Sequence, residues 1–127
     1  MIRVAIALIH REGRWFLQRR DPMNPILPGL WEFPGGKIRE GESEETALRR
    51  ELREELDWEP TRAEALAAVI HAYPDRTVEL HPFRCEGSGP LTTELGWGWF
   101  KPDEIARLPI PEANRDLLRN PIFWGTR

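Results

Sequence analysis

A charged stretch in the middle of the chain carries a leucine at every fourth position, and this pattern constrains the fold more than any other feature. The leucines are Leu48, Leu52 and Leu56. Because an α-helix repeats about every 3.6 residues, side chains four positions apart form a stripe on one face, and an apolar stripe packs against a core. Ser43 is a favourable N-cap, so the pattern predicts an amphipathic helix that begins there and ends within residues 57–60.

Three glutamates border this stripe on the predicted helix, namely Glu51, Glu54 and Glu55. At about 100° per residue they share an arc of about 100°. Like charges three or four positions apart destabilise a helix by about 0.2–0.5 kcal/mol per pair, so something must offset their repulsion. One interpretation is a solvated face with ion pairs between residues four apart, and the other is a bound cation. The candidate ion pairs are Glu45–Arg49 and Arg50–Glu54.

The oxygen atoms of this segment suit a hard divalent cation. Carboxylates and backbone carbonyls select Mg²⁺ or Mn²⁺, and Mg²⁺ usually shares its coordination shell with waters and phosphate oxygens. Gly35 and Gly36 precede the helix and predict a turn whose backbone approaches another group closely. The acidic arc therefore indicates a Mg²⁺ site, with Mn²⁺ as the alternative, and a phosphate-bearing substrate.

Strands are predicted on both sides of the helix. They cover residues 2–9, 14–20, 31–33, 64–73, 77–86 and 95–100, and short helices are predicted for residues 102–108 and 111–120. The first two strands form a hairpin with a turn at Gly13, and a second hairpin turns at residues 74–76. In the last strand Trp97 and Trp99 point to one face. Strands around a central helix, with a helical C-terminus, predict one α/β layered domain over residues 1–127 with a mixed sheet.

Composition excludes several classes of protein. A net charge of -3 is not the basic footprint of a protein that binds duplex nucleic acid. The chain has no apolar run of about 18 residues and no signal-peptide cleavage pattern. The single cysteine cannot form an internal disulfide, and the paired spacing of a zinc site is missing. We therefore expect a cytoplasmic protein that binds neither duplex nucleic acid nor membranes, as a monomer or weak homodimer.

From Gly36 onward the sequence resembles the signature of the Nudix hydrolase family. The segment GKIREGESEETALRRELREELDW is similar to glycine, five residues, glutamate, seven residues, then R-E-U-x-E-E-x-G-U, where U is a bulky apolar residue. The matching residues are Gly36, Glu42, Arg50, Glu51, Leu52, Glu54 and Glu55. The sequence departs from this pattern at Asp57, which replaces a glycine, and at Trp58. Aspartate is among the few residues that tolerate a left-handed backbone.

The resemblance extends over nearly the whole chain. The segments WEFPGGK, PDR and PEAN and the late Glu94 are similar to the MutT branch of the family. Members of this branch hydrolyse nucleoside triphosphates, notably oxidised guanine nucleotides such as 8-oxo-dGTP, to a monophosphate and pyrophosphate. The resemblance implies a Nudix α/β/α sandwich and a role in nucleotide-pool sanitation and DNA repair.

The same resemblance implies roles for particular residues. The expected metal ligands are Glu51, Glu54, Glu55 and the carbonyl of Gly36. Arg50 is expected to orient a glutamate by a charge-assisted hydrogen bond, and Glu42 to support the loop before the helix. Water attacks the β-phosphorus, with Glu51 or Glu94 as the base, and Glu94 can instead add a metal ligand.

Six further residues are candidates for substrate binding: Phe33, Tyr73, Asn114, Arg20, Lys37 and Arg76. The two aromatic residues are expected to stack on or line the base, and the Asn114 amide to donate and accept at a purine edge. The three basic residues are expected to neutralise phosphates. Each has a simpler interpretation, since short-strand aromatics usually belong to the core, Asn114 can cap a helix, and surface basic residues are usually solvated.

Two alternatives to the oxidised-guanine interpretation remain open. Because WEFPGGK also resembles enzymes that act on cytidine or other pyrimidine triphosphates, the substrate can differ within the same class. The second alternative is a catalytically silent Nudix domain that binds a nucleotide, or reads oxidised guanine as a domain of an adenine DNA glycosylase. The intact carboxylate set argues against silence. Since the first predicted strand starts at Ile2, we expect no glycosylase domain before it.

Overall fold

The computed structural model describes residues 1–25 and 28–124. The strands are β1 (Ile2–Arg11), β2 (Arg14–Arg19), β3 (Trp31–Glu32), β4 (Gly35–Lys37), β5 (Arg62–Ala65), β6 (Val69–Tyr73), β7 (Arg76–Glu86) and β8 (Gly96–Phe100). The helices are α1 (Glu44–Leu56), α2 (Pro102–Ile105), α3 (Glu112–Leu117) and α4 (Pro121–Trp124).

The sheet is built around β1, whose residues 5–9 are buried. β1 runs parallel to β7 and antiparallel to β2 and β4. β2 also pairs with β3 and β8, and β7 pairs with β5 and β6. All four of these pairs are antiparallel. This combination confirms the predicted mixed sheet. The continuous apolar run at residues 4–9 of β1 suits this central position because both faces of the strand are covered.

Helices cover both faces of the sheet. On one face α1 buries Ala47 and its three leucines against Ala5, Ala7, Ile9 and Phe16. On the other face the C-terminal helices pack Ile105, Leu117 and Phe123 against Leu8, Trp15 and Leu17. Alternation along β1 and β2 explains the division, since successive side chains of a strand point to opposite faces. The predicted α/β/α sandwich is confirmed.

Helix α1 begins and ends as its sequence predicts. The Ser43 hydroxyl accepts a hydrogen bond from the Thr46 N–H at 3.1 Å, which caps the N-terminus. At the C-terminus Asp57 adopts the left-handed conformation, with φ 49° and ψ 46°. Asp57 therefore performs the backbone role of the glycine in the family signature. Trp58 follows it into the core, where it is 5% exposed.

Four details differ from the expectations, and the first is that the helix predicted for residues 102–108 ends at Ile105. Gly35 and Gly36 lie in strand β4, not in a turn, although the expected close approach is present: a Cβ on Gly35 would lie 2.1 Å from the Ala5 carbonyl oxygen. The strand predicted for residues 64–73 is two strands, β5 and β6, because only residues 62–65 and 69–73 pair with β7. The last predicted helix stops at Leu117, and Pro121 begins the separate helix α4.

Candidate active site

Glu51 lies at the meeting point of α1 and β4. A Cβ on Gly36 would lie 2.1 Å from Glu51 Oε1, so only glycine lets the strand pass this close to the carboxylate. The Glu51 side chain is 14% exposed, with Arg50 Nη1 3.6 Å from its Oε1. Burial raises the pKa of Glu51 above its ordinary value, and the Arg50 guanidinium opposes this shift. The carboxylate is thus held against the backbone of Gly36.

Glu55 lies one helical turn after Glu51 and lines a cleft. Its side chain reaches solvent, but partial desolvation together with repulsion from Glu51 and Glu32 raises its pKa to about 7. A hydrogen bond from the Gly35 N–H opposes the rise in this pKa. Glu51 and Glu55 therefore concentrate negative charge on one side of α1, and a cation placed there would offset it.

Arg50 binds the loop before α1 to the helix. Its Nε and Nη2 donate to the two carboxylate oxygens of Glu42 at 2.7 and 2.9 Å. Nη2 also donates to the Lys37 carbonyl at 3.0 Å, and Nη1 donates to Glu54 Oε1 at 3.2 Å. The two hydrogen bonds from Arg50 to Glu42 lower the pKa of the Glu42 carboxyl, and a hydrogen bond from the Arg39 N–H acts in the same direction, so that this pKa falls to about 2. Glu42 therefore holds residues 37–42 against the acidic face of α1.

The ion pairs expected for a solvated helix face are present as well. Arg49 Nε lies 3.0 Å from Glu45 Oε2, and the Arg50–Glu54 contact is the second pair. Across residues 1–25 and 28–124, no three His, Cys, Asp or Glu side chains are grouped closely enough to hold a metal ion. Arg50 explains part of this, because it attracts the Glu54 carboxylate. The predicted ligand set of Gly36, Glu51, Glu54 and Glu55 therefore stays a prediction, whose donors are hard oxygens suited to Mg²⁺.

A cleft of about 660 Å³ adjoins the acidic face. Its wall consists of Gln18, Arg20, Asp21, Asn24, Glu32, Phe33, Pro34, Gly35, Glu54, Glu55, Asp57 and residues 92–95. Five predicted site residues thus meet here from distant parts of the chain, namely Arg20, Phe33, Glu54, Glu55 and Glu94. Glu51 is not part of this lining. Glu94 lies in the loop between β7 and β8 and is exposed. The cleft is large enough for a small organic ligand.

The loop that carries Glu94, residues 87–95, is attached to the rest of the domain at several points. Arg11 Nη2 donates to the carbonyls of Gly87 and Gly89 at 2.9 and 2.8 Å. Trp58 Nε1 donates to the Ser88 carbonyl, and the Thr92 N–H donates to the Leu56 carbonyl at the end of α1. Neither Arg11 nor Trp58 could be identified as an anchor from the sequence, since their partners are backbone atoms, which carry no residue-specific signal.

The far wall of the cleft contains Arg20, Glu32 and Phe33. Arg20 Nη2 donates to Glu32 Oε1 at 2.9 Å. Arg20 Nε is a buried nitrogen without a hydrogen-bond partner among the described residues. Phe33 is 2% exposed and contributes both to the cleft and to the core, where its ring contacts Phe123. The core interpretation and the substrate interpretation of Phe33 are therefore compatible.

Asn114 lies behind this wall. It is 7% exposed and belongs to α3, so it does not cap that helix, whose N-cap is Pro111. Its Oδ1 accepts a hydrogen bond from the Phe33 N–H at 3.0 Å. Asn114 does not line the cleft, and its acceptor oxygen already has a protein partner.

Like Asn114, three other predicted substrate residues lie outside the cleft lining. Lys37 is exposed on β4. The Tyr73 hydroxyl accepts a hydrogen bond from the Ala113 N–H at 3.1 Å, so Tyr73 joins β6 to α3. Arg76 lies over the Tyr73 ring at 4.4 Å and pairs with Asp75 at 3.0 Å. Tyr73 and Arg76 therefore make packing contacts, and none of the three residues lines the cleft.

Gln18 is a cleft residue that the sequence analysis missed. It is 4% exposed and lies in β2 after the apolar residues Trp15, Phe16 and Leu17. The available signal was a polar residue that continues an apolar strand.

The fold and the acidic face define a Nudix-type protein, and comparison with known proteins agrees. A NUDIX domain model matches residues 4–120, so the chain belongs to this family. The predicted class, a Nudix hydrolase, is confirmed. Proteins of this family generally use divalent metal ions.

Several known proteins are similar to this chain. A CTP pyrophosphohydrolase of Escherichia coli (strain K12) is 36% identical over 121 residues, which cover 93% of this chain and 89% of the relative. An 8-oxo-dGTP diphosphatase of Proteus vulgaris is 43% identical over 82 residues, which cover 64% of this chain and 72% of the relative. The crystal structure of a MutT NUDIX hydrolase from Burkholderia pseudomallei matches with a TM-score of 0.81 at 28% sequence identity. The match covers 93% of this chain and 95% of that structure's chain.

No helix among the described residues is long and apolar enough to cross a membrane.

Proposed function

We propose that this protein hydrolyses a nucleoside triphosphate to a nucleoside monophosphate and pyrophosphate, with an oxidised guanine nucleotide of the 8-oxo-dGTP type as substrate. The observation that carries the proposal is the position of Glu54 and Glu55 of α1 on the wall of a cleft that Arg20 and Glu94 also line. The cellular role that follows is cytoplasmic sanitation of the nucleotide pool, which protects DNA from incorporation of damaged bases.

The α1 carboxylates and the Gly36 carbonyl are the groups that would hold a divalent cation, Mg²⁺ by preference. Two observations support the fit: hard oxygen donors make up the set, and a Cβ on Gly36 would fill the space beside Glu51. A bound cation supplies positive charge, which reduces the repulsion between an attacking water and the phosphate oxygens.

The chain's own residues position the reactants and accept a proton. Water forms a bond to the β-phosphorus, the bond from that phosphorus to the α–β bridging oxygen breaks, and the monophosphate leaves with the electron pair. A carboxylate accepts the proton that the water loses, and the candidates are Glu51, held beside Gly36, and Glu94, which lines the cleft. Arg50 and Glu42 hold the loop and the helix in register while this occurs.

The remaining predicted substrate residues differ in their support. Arg20 lines the cleft, and its guanidinium offers charged N–H donors of the kind that bind phosphate oxygens. Phe33 lines the cleft and offers an apolar surface to a base. Lys37, Tyr73 and Arg76 have no cleft contact to support the same role.

Product analysis in ¹⁸O-labelled water tests the proposal. The protein is incubated with Mg²⁺ and 8-oxo-dGTP, dGTP, CTP or UTP, and the products are separated and weighed. We expect monophosphate and pyrophosphate, with the label in pyrophosphate because attack is at the β-phosphorus. A diphosphate with labelled orthophosphate would overturn the proposed bond cleavage, and the absence of turnover with every substrate would favour a silent nucleotide-binding domain.

A pyrimidine triphosphate is the second candidate substrate. The observation in its favour is coverage, since the relative named CTP pyrophosphohydrolase aligns with 93% of this chain and the relative named 8-oxo-dGTP diphosphatase with 64%. The ratio of kcat/KM for CTP to that for 8-oxo-dGTP, measured under one set of conditions, decides between the two candidates.

A further inference from the structure

We propose that the side-chain amide of Gln18 contacts the base of the substrate and determines which base the enzyme accepts. The inference rests on the proposed function, because it assigns a specificity residue to that same cleft. It depends on the burial of Gln18, on the absence of a hydrogen-bond partner for its side-chain amide among the described residues, and on its place in the lining of the cleft.

Gln18 is buried in an unusual way. Only 4% of the residue is exposed, yet among the described residues none forms a hydrogen bond with its side-chain amide. Buried polar groups are normally paired. The amide atoms are also not fully enclosed, since Arg20 Nε is the unpartnered polar atom that is completely buried in the described part of the chain. The amide of Gln18 therefore ends at the surface of the cleft that it lines.

The sheet holds Gln18 in place from both sides. Its register partners are Glu32 on β3 and Trp97 on β8, so its backbone lies in the interior of three paired strands. A side chain on such a rigid element presents its polar end in a defined direction, as recognition requires.

The chemistry of an amide favours a base over a phosphate. A carboxamide offers an N–H donor beside a C=O acceptor, which matches the paired donor and acceptor on a base edge. Phosphate oxygens only accept, so they would leave the amide oxygen unmatched, and the charged Arg20 two positions along the chain suits them better. Phe33, Pro34 and Leu95 line the same cleft and add the apolar surface that a base ring needs.

The comparison with Asn114 sharpens this assignment. Both residues are buried carboxamides, with 4% and 7% exposure. Asn114 Oδ1 already accepts from the Phe33 N–H, and Asn114 does not line the cleft. Gln18, in contrast, lines the cleft, and its amide has no hydrogen-bond partner among the described residues. We therefore assign the base contact to the Gln18 amide, and Asn114 positions the backbone of Phe33.

Steady-state kinetics of two matched variants tests the inference. Gln18→Met keeps the approximate size of the side chain and removes its hydrogen-bond donors and acceptor. Asn114→Leu makes the same change at the second buried amide. Each is assayed with 8-oxo-dGTP, dGTP, CTP and UTP at saturating Mg²⁺. We expect Gln18→Met to lower kcat/KM for the preferred base by about 5- to 150-fold more than for the poorest base. We expect Asn114→Leu to lower all four values by similar factors.

A third variant distinguishes recognition from packing. Gln18→Glu retains the shape and an acceptor but loses the N–H donors, so the ratio of CTP to UTP turnover should change even where the melting temperature does not. Equal losses for every base in both Gln18 variants, or a selectivity change confined to Asn114→Leu, would overturn the inference. These outcomes are distinct from failure of the proposed function, in which the unaltered protein turns over none of the four triphosphates.

Discussion

The two walls of the cleft differ in how their polar groups are satisfied. Beside the α1 wall, Arg50 does not itself line the cleft and is surrounded by acceptors, with hydrogen bonds to Glu42, Glu54 and the Lys37 carbonyl. On the strand wall, formed by β2 and β3, the Gln18 amide has no hydrogen-bond partner among the described residues. The two walls therefore differ in function: the hydrogen bonds of Arg50 fix the charged groups of the α1 wall before a ligand binds, and the strand wall keeps the Gln18 amide available to a ligand.

The largest expected effect concerns the α1 wall. We expect Glu51→Gln, Glu54→Gln and Glu55→Gln each to lower kcat at least about tenfold, equivalent to about 1.4 kcal/mol of transition-state stabilisation. Each amide is nearly isosteric, so the loss reports charge and not packing. Glu45→Gln on the same helix is the control, since Glu45 pairs with Arg49 away from the cleft. Turnover within twofold of the unaltered protein in all three variants would show that the glutamates form only a solvated face.

Substitution of the adjacent glycines Gly35 and Gly36 should have different effects, one on stability and the other on activity. A Cβ on Gly35 meets the backbone carbonyl of Ala5, which cannot move without disturbing β1. A Cβ on Gly36 meets the mobile end of the Glu51 side chain. We therefore expect Gly35→Ala to lower the free energy of unfolding by about 1–3 kcal/mol, and Gly36→Ala to lower turnover with a smaller effect on the melting temperature. If Gly36→Ala retained full activity, the position of Glu51 beside the strand would not matter for catalysis.

Divalent cations should stabilise the α1 wall. A ligand that binds only the folded state at a hundredfold excess over Kd adds about 2.7 kcal/mol to the free energy of unfolding. We expect the melting temperature to rise with Mg²⁺ and to fall when a chelator removes it, and we expect a smaller rise in Glu51→Gln. Superimposable melting curves with chelator and with millimolar Mg²⁺ would argue that the carboxylates bind no cation before the substrate arrives.

Behind the strand wall, removal of the Asn114 amide should affect stability. Asn114→Leu leaves the buried Phe33 N–H without its acceptor, which costs about 1–3 kcal/mol of the free energy of unfolding. Chemical denaturation measures this loss. A variant as stable as the unaltered protein, with altered base selectivity, would instead support a direct contact between Asn114 and the base.

The smallest expected effect is a difference in acid stability. The pKa of Glu42 is lowered to about 2 in the folded state, and an unfolded glutamate has a pKa of 4.5. The unfolded chain therefore binds the proton first as the pH falls, so the stabilisation from Glu42 is complete above pH 4.5 and is lost towards pH 2. We expect Glu42→Gln to be less stable than the unaltered protein at pH 7 and to lose less stability between pH 4.5 and 2. Parallel pH profiles would contradict this prediction.

Much of the α1 wall could be predicted from the sequence because its determinants are local. Leucines four apart, a serine before the first turn and an aspartate able to adopt a left-handed backbone specify the helix and both of its ends. The same periodicity placed three glutamates on one arc. The sequence did not show that Arg50 would bind the Lys37 carbonyl, since that contact depends on the path of the preceding strand.

The strand wall could be predicted only in part. Phe33 and Glu94 were identified by resemblance and Arg20 by its charge, and the structure brings all three to the cleft. Tyr73 was identified by resemblance and Arg76 by its charge, and they lie outside the cleft because the β6–β7 hairpin packs against α3. Gln18 was missed, since one polar residue in an apolar strand indicates neither its burial nor its neighbours.

The sequence by itself determined the central helix, its acidic arc and the membership of a hydrolase family, because these features depend on spacing within about four residues or on a contiguous motif. Only the tertiary structure decided which amide faces the cleft. Asn114 bonds to Phe33 across 81 positions of the chain, and Gln18 lies between strands that begin at residues 31 and 96. Such contacts follow from sheet register, which the packing of both faces selects.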